Sequence, residues 1–224
     1  MPTDRELFDT LRGRLFTAVV GDVLDGAGFN RQFLPAQIRP LIPDMVVVGR
    51  AMPLLEADID PARADERDAA DFGLMLRALD DLKPGEVYLC TGGTPDYALW
   101  GGLMSTRALH LGAAGAVVDG FHRDTREIVA LGFPTFSSGA YAQDQRRRGR
   151  VVDFRLAITY ANGCRVAPGD IVFGDIDGIV VIPKDAAADI VAAALAKVDG
   201  EDLVREMILA GQSTEAAFKK TGIM

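Results

Sequence analysis

The 224-residue chain is predicted to be an α/β protein, on three observations. The stretch from Trp100 to Asp124 reads as one compact βα unit, with a glycine-opened helix over Leu103 to Leu111 and a buried strand over Ala116 to Val118 that ends in Asp119-Gly120. Apolar runs on both sides of Asp175-Ile176-Asp177-Gly178 mark a β-hairpin. Helical patterns occupy both ends of the chain.

Taken in order, Asp4 to Arg14 has helical periodicity, and TAVVGDVLDGAG starts a second helix with Thr17 as its N-cap and Gly26 or Gly28 as its stop. Met45 to Glu56 is rich in β-branched and apolar residues and predicts a strand, broken or edged at Pro53. Arg63 to Leu82 predicts a helix whose apolar face carries Phe72, Leu74, Met75, Leu76 and Leu79, closed by the Lys83-Pro84-Gly85 turn. Glu86 to Cys90 is a strand that runs into Gly92-Gly93. In the next unit the helical apolar residues are Leu103, Met104, Ala108, Leu109 and Leu111. A short helix at Thr125 to Leu131 stops at Gly132, and strands are expected at Pro134 to Ser138, Val151 to Thr159 and Cys164 to Val166. Pro168-Gly169-Asp170 turns into the hairpin, and Asp185 to Leu209 is helical, with a weak point at Gly200.

Composition narrows the function. With 49% hydrophobic and 25% charged residues, one domain with a substantial core is expected. No apolar run approaches the roughly 18 residues of a membrane span, and the charged start MPTDRELFDT lacks a signal-peptide core, so a cytoplasmic location is expected. A net charge of −8 argues against nucleic acid as a partner, and Arg146-Arg147-Arg148 reads as a solvated loop. Cys90 and Cys164 have neither disulfide nor zinc spacing. The glycines at 91–93 and 100–102 do not fit the GxGxxG or P-loop patterns, and two histidines, His110 and His122, are too few for a His-rich metal site.

The chemistry is expected where Gly101-Gly102 meets Arg123-Asp124. An Arg-Asp pair alone is most often a loop ion pair. Here, however, the amides of Leu103 and Met104 open a helix whose positive end attracts a carboxylate, and Arg123 can grip the same carboxylate bidentately. Asp124 is then left to hold a hard cation such as Mg²⁺. Arg107 is read as a surface ion pair by default or as lining the site from the second helical turn, His122 as a loop residue or a tuner of the pocket, and Asp175 and Asp177 as a hairpin turn because they lack the spacing of a calcium loop.

WGGLMSTRA, GAAGAVVDG and the following Arg123-Asp124 resemble the RraA-like family, which includes class II 4-hydroxy-4-methyl-2-oxoglutarate aldolases and shares a Gly, twenty variable residues and Arg-Asp; Gly102 and Arg123 satisfy that spacing. TAVVGDVLD, KPGEVYLCTGG and APGDIVFGDIDGIVVIP extend the resemblance over most of the chain. It implies a three-layer β/β/α fold of the swivelling phosphohistidine-like type over residues 1–224, assembled as a homotrimer or hexamer with the C-terminal helix and the site at a subunit interface. It also implies a lyase that releases pyruvate enolate from a small 2-oxo acid, with oxaloacetate decarboxylation as a second activity. Gly101, Gly102, Leu103, Met104 and Arg123 would hold the substrate, Asp124 would ligate Mg²⁺ or Mn²⁺, and Glu201 would reach a neighbour's site, with Glu206 as a weaker candidate. Family aldolases commonly carry Asp or Glu where this chain has Gly102; Asp96 and Asp119 are the candidate replacements. The alternative is a non-catalytic binding protein that regulates a ribonuclease. Methyl transfer to a quinone is rejected, because no glycine-rich strand-helix turn is present for a methyl donor.

Overall fold

A computed structural model describes residues 2–60 and 72–223. The chain opens with α1 (Asp4–Arg14), α2 (Thr17–Gly26), β1 (Arg39–Pro40), β2 (Val47–Asp58), α3 (Met75–Asp80) and β3 (Glu86–Thr91). It continues through β4 (Ala98–Trp100), α4 (Gly102–His110), β5 (Gly115–Val118), β6 (Phe121–His122), α5 (Thr125–Leu131) and β7 (Thr135–Ser137). The last elements are β8 (Gly149–Phe154), β9 (Ile158–Thr159), β10 (Arg165–Val166), β11 (Ile171–Asp175), β12 (Gly178–Ile182), α6 (Ala187–Leu209) and α7 (Thr214–Thr221).

A mixed eight-stranded sheet runs β1-β7-β5-β3-β2-β11-β12, with β8 also pairing β2. Strands β2, β3, β5 and β7 are parallel neighbours, whereas β8, β11 and β12 pair antiparallel. Alternation along the strands divides the core into two faces. Met52, Leu54, Tyr88, Cys90, Ala116 and Val118 pack beneath the α3–α5 side, while Val48, Phe173 and Val180 meet α1, α2 and α6. Val47, Ala51, Val87, Leu89, Val117 and Phe136 point the other way, against Ile158, Tyr160 and Val166 of the β9–β10 ribbon region. Helices, sheet and ribbon are therefore three layers, the β/β/α arrangement expected.

The local corrections have physical reasons. Thr17 is not an N-cap: Phe16 holds that position without a side-chain bond, and Asp175 reaches from the hairpin to accept from Thr17 N at 2.8 Å and from Thr17 Oγ1 at 2.7 Å. Pro53 neither breaks nor edges its strand. Its carbonyl accepts from Arg155 N at 2.8 Å on the side where pairing with β11 (through Arg50) gives way to pairing with β8 (from Leu54), so the missing N–H falls at a seam. The predicted helix from Arg63 begins outside the described residues, and within them it is interrupted: Phe72 has φ 56°, Gly73 bridges to Val151, and only Met75–Asp80 is helical. The predicted strand from Val151 to Thr159 is split at Arg155, whose φ is 59° and whose guanidinium binds Asp81 and Glu86. Gly28, at φ +87°, ends α2, with Phe29 N donating to Leu24 O at 2.9 Å. Gly200 does not interrupt α6; a Cβ there would lie 2.3 Å from Ile223 Cδ1, so the glycine admits the chain after α7.

Candidate active site

Two strands of two or three residues bring the glycines and the Arg-Asp doublet together. β4 and β6 pair in parallel, Ala98 with Phe121 and Trp100 with His122, and Arg123 N donates to Trp100 O at 2.9 Å. The chain leaves β4 into Gly101 and leaves β6 into Arg123, so residues some twenty apart become neighbours. Trp100 anchors this floor: its ring stacks on Phe133 at 6.0 Å and tilts against Tyr88 at 4.8 Å, and its Nε1 donates to Ser105 Oγ at 2.7 Å.

Asp124 stands between two helix starts. It adopts the left-handed region (φ 59°, ψ 36°), which Asp tolerates better than most side chains, and its carbonyl accepts from Glu127 N and Ile128 N as α5 begins. Its carboxylate turns away to α4, where Oδ2 accepts from Gly102 N at 3.1 Å. The expected helix N-terminus thus already has one anion at its first amide, while those of Leu103 and Met104 precede the first intrahelical donor, Ser105 N to Gly101 O at 3.0 Å. Arg123 is held loosely, with Nε 3.8 Å from Asp124 Oδ2 and Nη1 3.4 Å from Asp144 Oδ1. Such half-exposed pairs contribute little, which leaves the guanidinium free to exchange partners.

The two glycines are explained by what their missing side chains would meet. A Cβ on Gly101 would lie 2.8 Å from Asp124 Oδ2, and one on Gly102 would lie 2.1 Å from Glu127 Oε2. Glu127, which the sequence did not single out, therefore puts a carboxylate where a side chain at 102 would sit. Its signal was present: Glu127 lies three residues after Asp124, one turn into α5, and faces back over the same corner. Asp96 and Asp119 do not fill that role; Asp96 is exposed and does not line the cavity, and Asp119 Oδ2 is taken by Thr91 Oγ1 at 2.6 Å.

Gly101, Leu103, Met104, Arg123 and Asp124 line one cavity of about 440 Å³, whose other walls are the apolar side chains of Phe72, Met75, Leu76 and Leu79 and the polar ones of Asp144 and Gln145. The face of α4 differs from expectation: Gly102, Ser105 and Ala108 are buried, whereas Leu103 is 82% and Leu109 45% exposed, because small residues let the helix lie close to β5. Arg107 both lines the cavity and pairs with Asp80 at 2.8 Å. His122 is buried between Ser137 Oγ (2.7 Å) and Thr125 Oγ1 (2.9 Å), and burial pushes its imidazole below the usual range, so it is a structural residue behind the doublet. Glu201 is not brought to the doublet within one chain. It lies in α6, 4.0 Å from Lys197, and lines a separate cavity with Val204, Arg205 and Ile223. Cys90 and Cys164 are buried free thiols. Among the described residues no helix is long and apolar enough to cross a membrane.

Residues 17–181 match the family described as RraA-like, Aldolase/RraA. A Halalkalibacterium halodurans protein, provisionally named a 4-hydroxy-4-methyl-2-oxoglutarate aldolase, is 32% identical over 191 residues, covering 85% of this chain and 82% of that one. Protein DlpA of Legionella pneumophila is 27% identical over 202 residues, 90% of this chain but 31% of its own, so this chain spans about a third of that relative. Among solved structures, Streptomyces coelicolor RraAS2, described as an unusual member of the RNase ES inhibitor RraA protein family, has a TM-score of 0.77 and 25% identity, covering 92% of this chain and 98% of that one. By sequence and by fold, this chain belongs to the RraA-like family.

Proposed function

We propose that the chain is a lyase that binds the pyruvyl end of a small 2-oxo acid and cleaves the adjacent carbon–carbon bond, releasing pyruvate as its enolate. The observation that carries this reading is the convergence of Arg123, Asp124 and the first turn of α4 on one cavity with an apolar opposite wall. Arg123 takes the substrate carboxylate in a bidentate grip, exchanging it for Asp144, and the free amides of Leu103 and Met104 complete the anion site. Gly101 lets the substrate approach the backbone; Gly102, expected to share that role, is buried outside the cavity lining, with its amide taken by Asp124 and its Cβ space by Glu127. The names of aldolase relatives support the same chemistry.

Asp124 and Glu127, brought to the Cβ positions of two consecutive glycines, suit a hard cation that keeps most of its waters. Among the described residues there is no cluster of three or more His, Cys, Asp and Glu side chains of the kind a fully protein-ligated ion needs. Mg²⁺ or Mn²⁺ at Asp124 would supply Lewis-acid stabilisation of the negative charge on the keto oxygen. We assign to Glu127, whose carboxylate stands beside Gly102 rather than in the cavity lining, the role of holding the proton that leaves the substrate hydroxyl and returning one to the enolate carbon, which requires its exposed side chain to swing toward Asp124. Glu201 enters only from a second copy, in the homotrimer or hexamer that the exposed Leu103 and Leu209 suit. A cytoplasmic location belongs to the same proposal.

The test is pyruvate release from 4-hydroxy-4-methyl-2-oxoglutarate and from oxaloacetate, with and without EDTA. Release that EDTA abolishes and Mg²⁺ or Mn²⁺ restores is expected; release unaffected by EDTA, or none from either substrate, rejects the proposal. The second reading, a non-catalytic regulator of a ribonuclease, is favoured by the resemblance to RraAS2 and by Gly102 in place of an acid. Asp124→Ala separates the two, since a regulator keeps its partner affinity while a lyase loses turnover.

A further inference from the structure

Behind the cavity lies a buried carboxyl that the chemistry above does not use. Glu56, at the end of β2, is 2% exposed; its Oε2 accepts from Gln145 Nε2 at 2.8 Å, and its Oε1 has no hydrogen-bond partner among the described residues. The hydroxyl of Tyr88, on the neighbouring strand β3, is likewise buried without a partner, and the Tyr88 ring packs on Trp100. Gln145 is itself buried, yet it lines the cavity. Its carbonyl accepts from Arg148 N at 2.8 Å and Gly149 N at 3.0 Å, closing the turn that begins at Gln145 itself, and the preceding residue, Asp144, is the one that faces Arg123.

We propose that Glu56 is a positioning residue for this cavity: acting through Gln145, its neutral carboxyl fixes the 144–145 corner so that Asp144 keeps the Arg123 guanidinium at the cavity until the substrate carboxylate takes its place. A buried carboxyl with no cationic partner, as Glu56 is among the described residues, is stable only while protonated. Ionisation would shorten the Gln145 hydrogen bond and draw water to the new charge, pulling the Gln145 amide inward and shifting the corner from the position it holds beside the neutral carboxyl. The groups around Glu56 are Asp58 on its own strand, Tyr88 and Cys90 on β3, Tyr97 before β4, and Arg150, paired opposite Ala57 on β8. Burial, aided by the Asp58 charge and opposed by the Gln145 hydrogen bond, pushes the Glu56 carboxyl up to about 8. The neutral form therefore prevails at pH 7 and is lost on the alkaline side.

Trp100 is the one tryptophan of the chain and lines the cavity, so its fluorescence reports the pocket without any need for turnover. The experiment uses the full chain, wild type and Glu56→Gln, and measures three quantities between about pH 6 and 9: Trp100 emission, pyruvate affinity from its quenching, and KM for oxaloacetate. Wild type is expected to show an emission change centred near 8, with pyruvate Kd and KM each rising roughly tenfold from pH 7 to 9 as the neutral fraction falls. Glu56→Gln, permanently neutral and still an acceptor for Gln145, is expected to keep the pH 7 values throughout. Wild-type and Glu56→Gln profiles that superimpose overturn the inference. The kinetic measurement rests on the lyase reading, and the binding measurement does not: no turnover, combined with a pyruvate affinity whose alkaline loss disappears in Glu56→Gln, sinks the lyase reading and supports the role of Glu56.

Discussion

Replacing Gly102 by Ala tests the arrangement of the site with one methyl group. The new Cβ would stand 2.1 Å from Glu127 Oε2 and 2.4 Å from its Cδ, against an ordinary contact of ~3.5 Å, so the carboxylate must retreat by more than ~1 Å. Glu127 is exposed and its side chain flexible, so the retreat costs the fold little, and Ala is the better helix former by up to ~1 kcal/mol. Stability is therefore expected to stay within about 1 kcal/mol of wild type, which a thermal melt reads as a shift of a few degrees at most. Catalysis should respond differently. A displacement of about 1 Å in a proton-transfer group costs on the order of 10²-fold in kcat, or about 2.7 kcal/mol of barrier. Glu127→Ala should lose at least as much. Gly102→Asp combined with Glu127→Ala moves the carboxylate from α5 to α4 without changing the net charge and should recover much of the loss. The assay is pyruvate release with Mg²⁺ in excess, paired with melting of each variant. Gly102→Ala or Glu127→Ala at wild-type turnover would remove Glu127 from the chemistry, and a double variant no better than Glu127→Ala would show that the space at 102 is not where the acid is needed.

Three further outcomes follow from the geometry. Mg²⁺ at concentrations well above its Kd should raise the melting temperature of wild type through binding to the native state, and Asp124→Ala should abolish the shift; an equal shift in both would place the ion elsewhere. Asp175→Ala removes both bonds to Thr17 and should cost about 1–2 kcal/mol in denaturant unfolding with no change in KM, whereas an unchanged midpoint would mean that solvent replaces the cap. His122 is held below its ordinary value of 6.5 by burial, so the unfolded chain binds its proton first. Its contribution is complete above about pH 6.5 and is lost as pH falls from there through the lower folded value, at up to ~1.4 kcal/mol per pH unit; His122→Asn should flatten that part of the stability profile.

Much of the architecture was legible because it is written in local patterns. The continuous apolar runs of β3, β5, β11 and β12, the periodicity of α1 and α2 and the strong helix formers of α6 each need only their own side chains to be recognised. The Arg123-Asp124 doublet and its glycines were legible for the same reason, as a spacing along the chain. Strands β4 and β6 were not, since two or three residues carry no periodicity and exist only because each pairs with the other. The positive φ values of Phe72 and Arg155 were hidden too, because bonds to distant strands hold conformations that neither side chain prefers.

The sequence by itself determined the α/β class, most helices and strands and the residue types available for chemistry, because burial of apolar faces depends mainly on spacing along the chain; the layering was implied only by the family resemblance. Only the tertiary structure decided which carboxylate stands at Gly102, that Asp124 occupies the first amide of α4, that Glu201 stays away from the doublet of its own chain, and that Glu56 lies behind the pocket. Those are relations between side chains on separate elements, set by close packing in three dimensions, and no one-dimensional pattern encodes them.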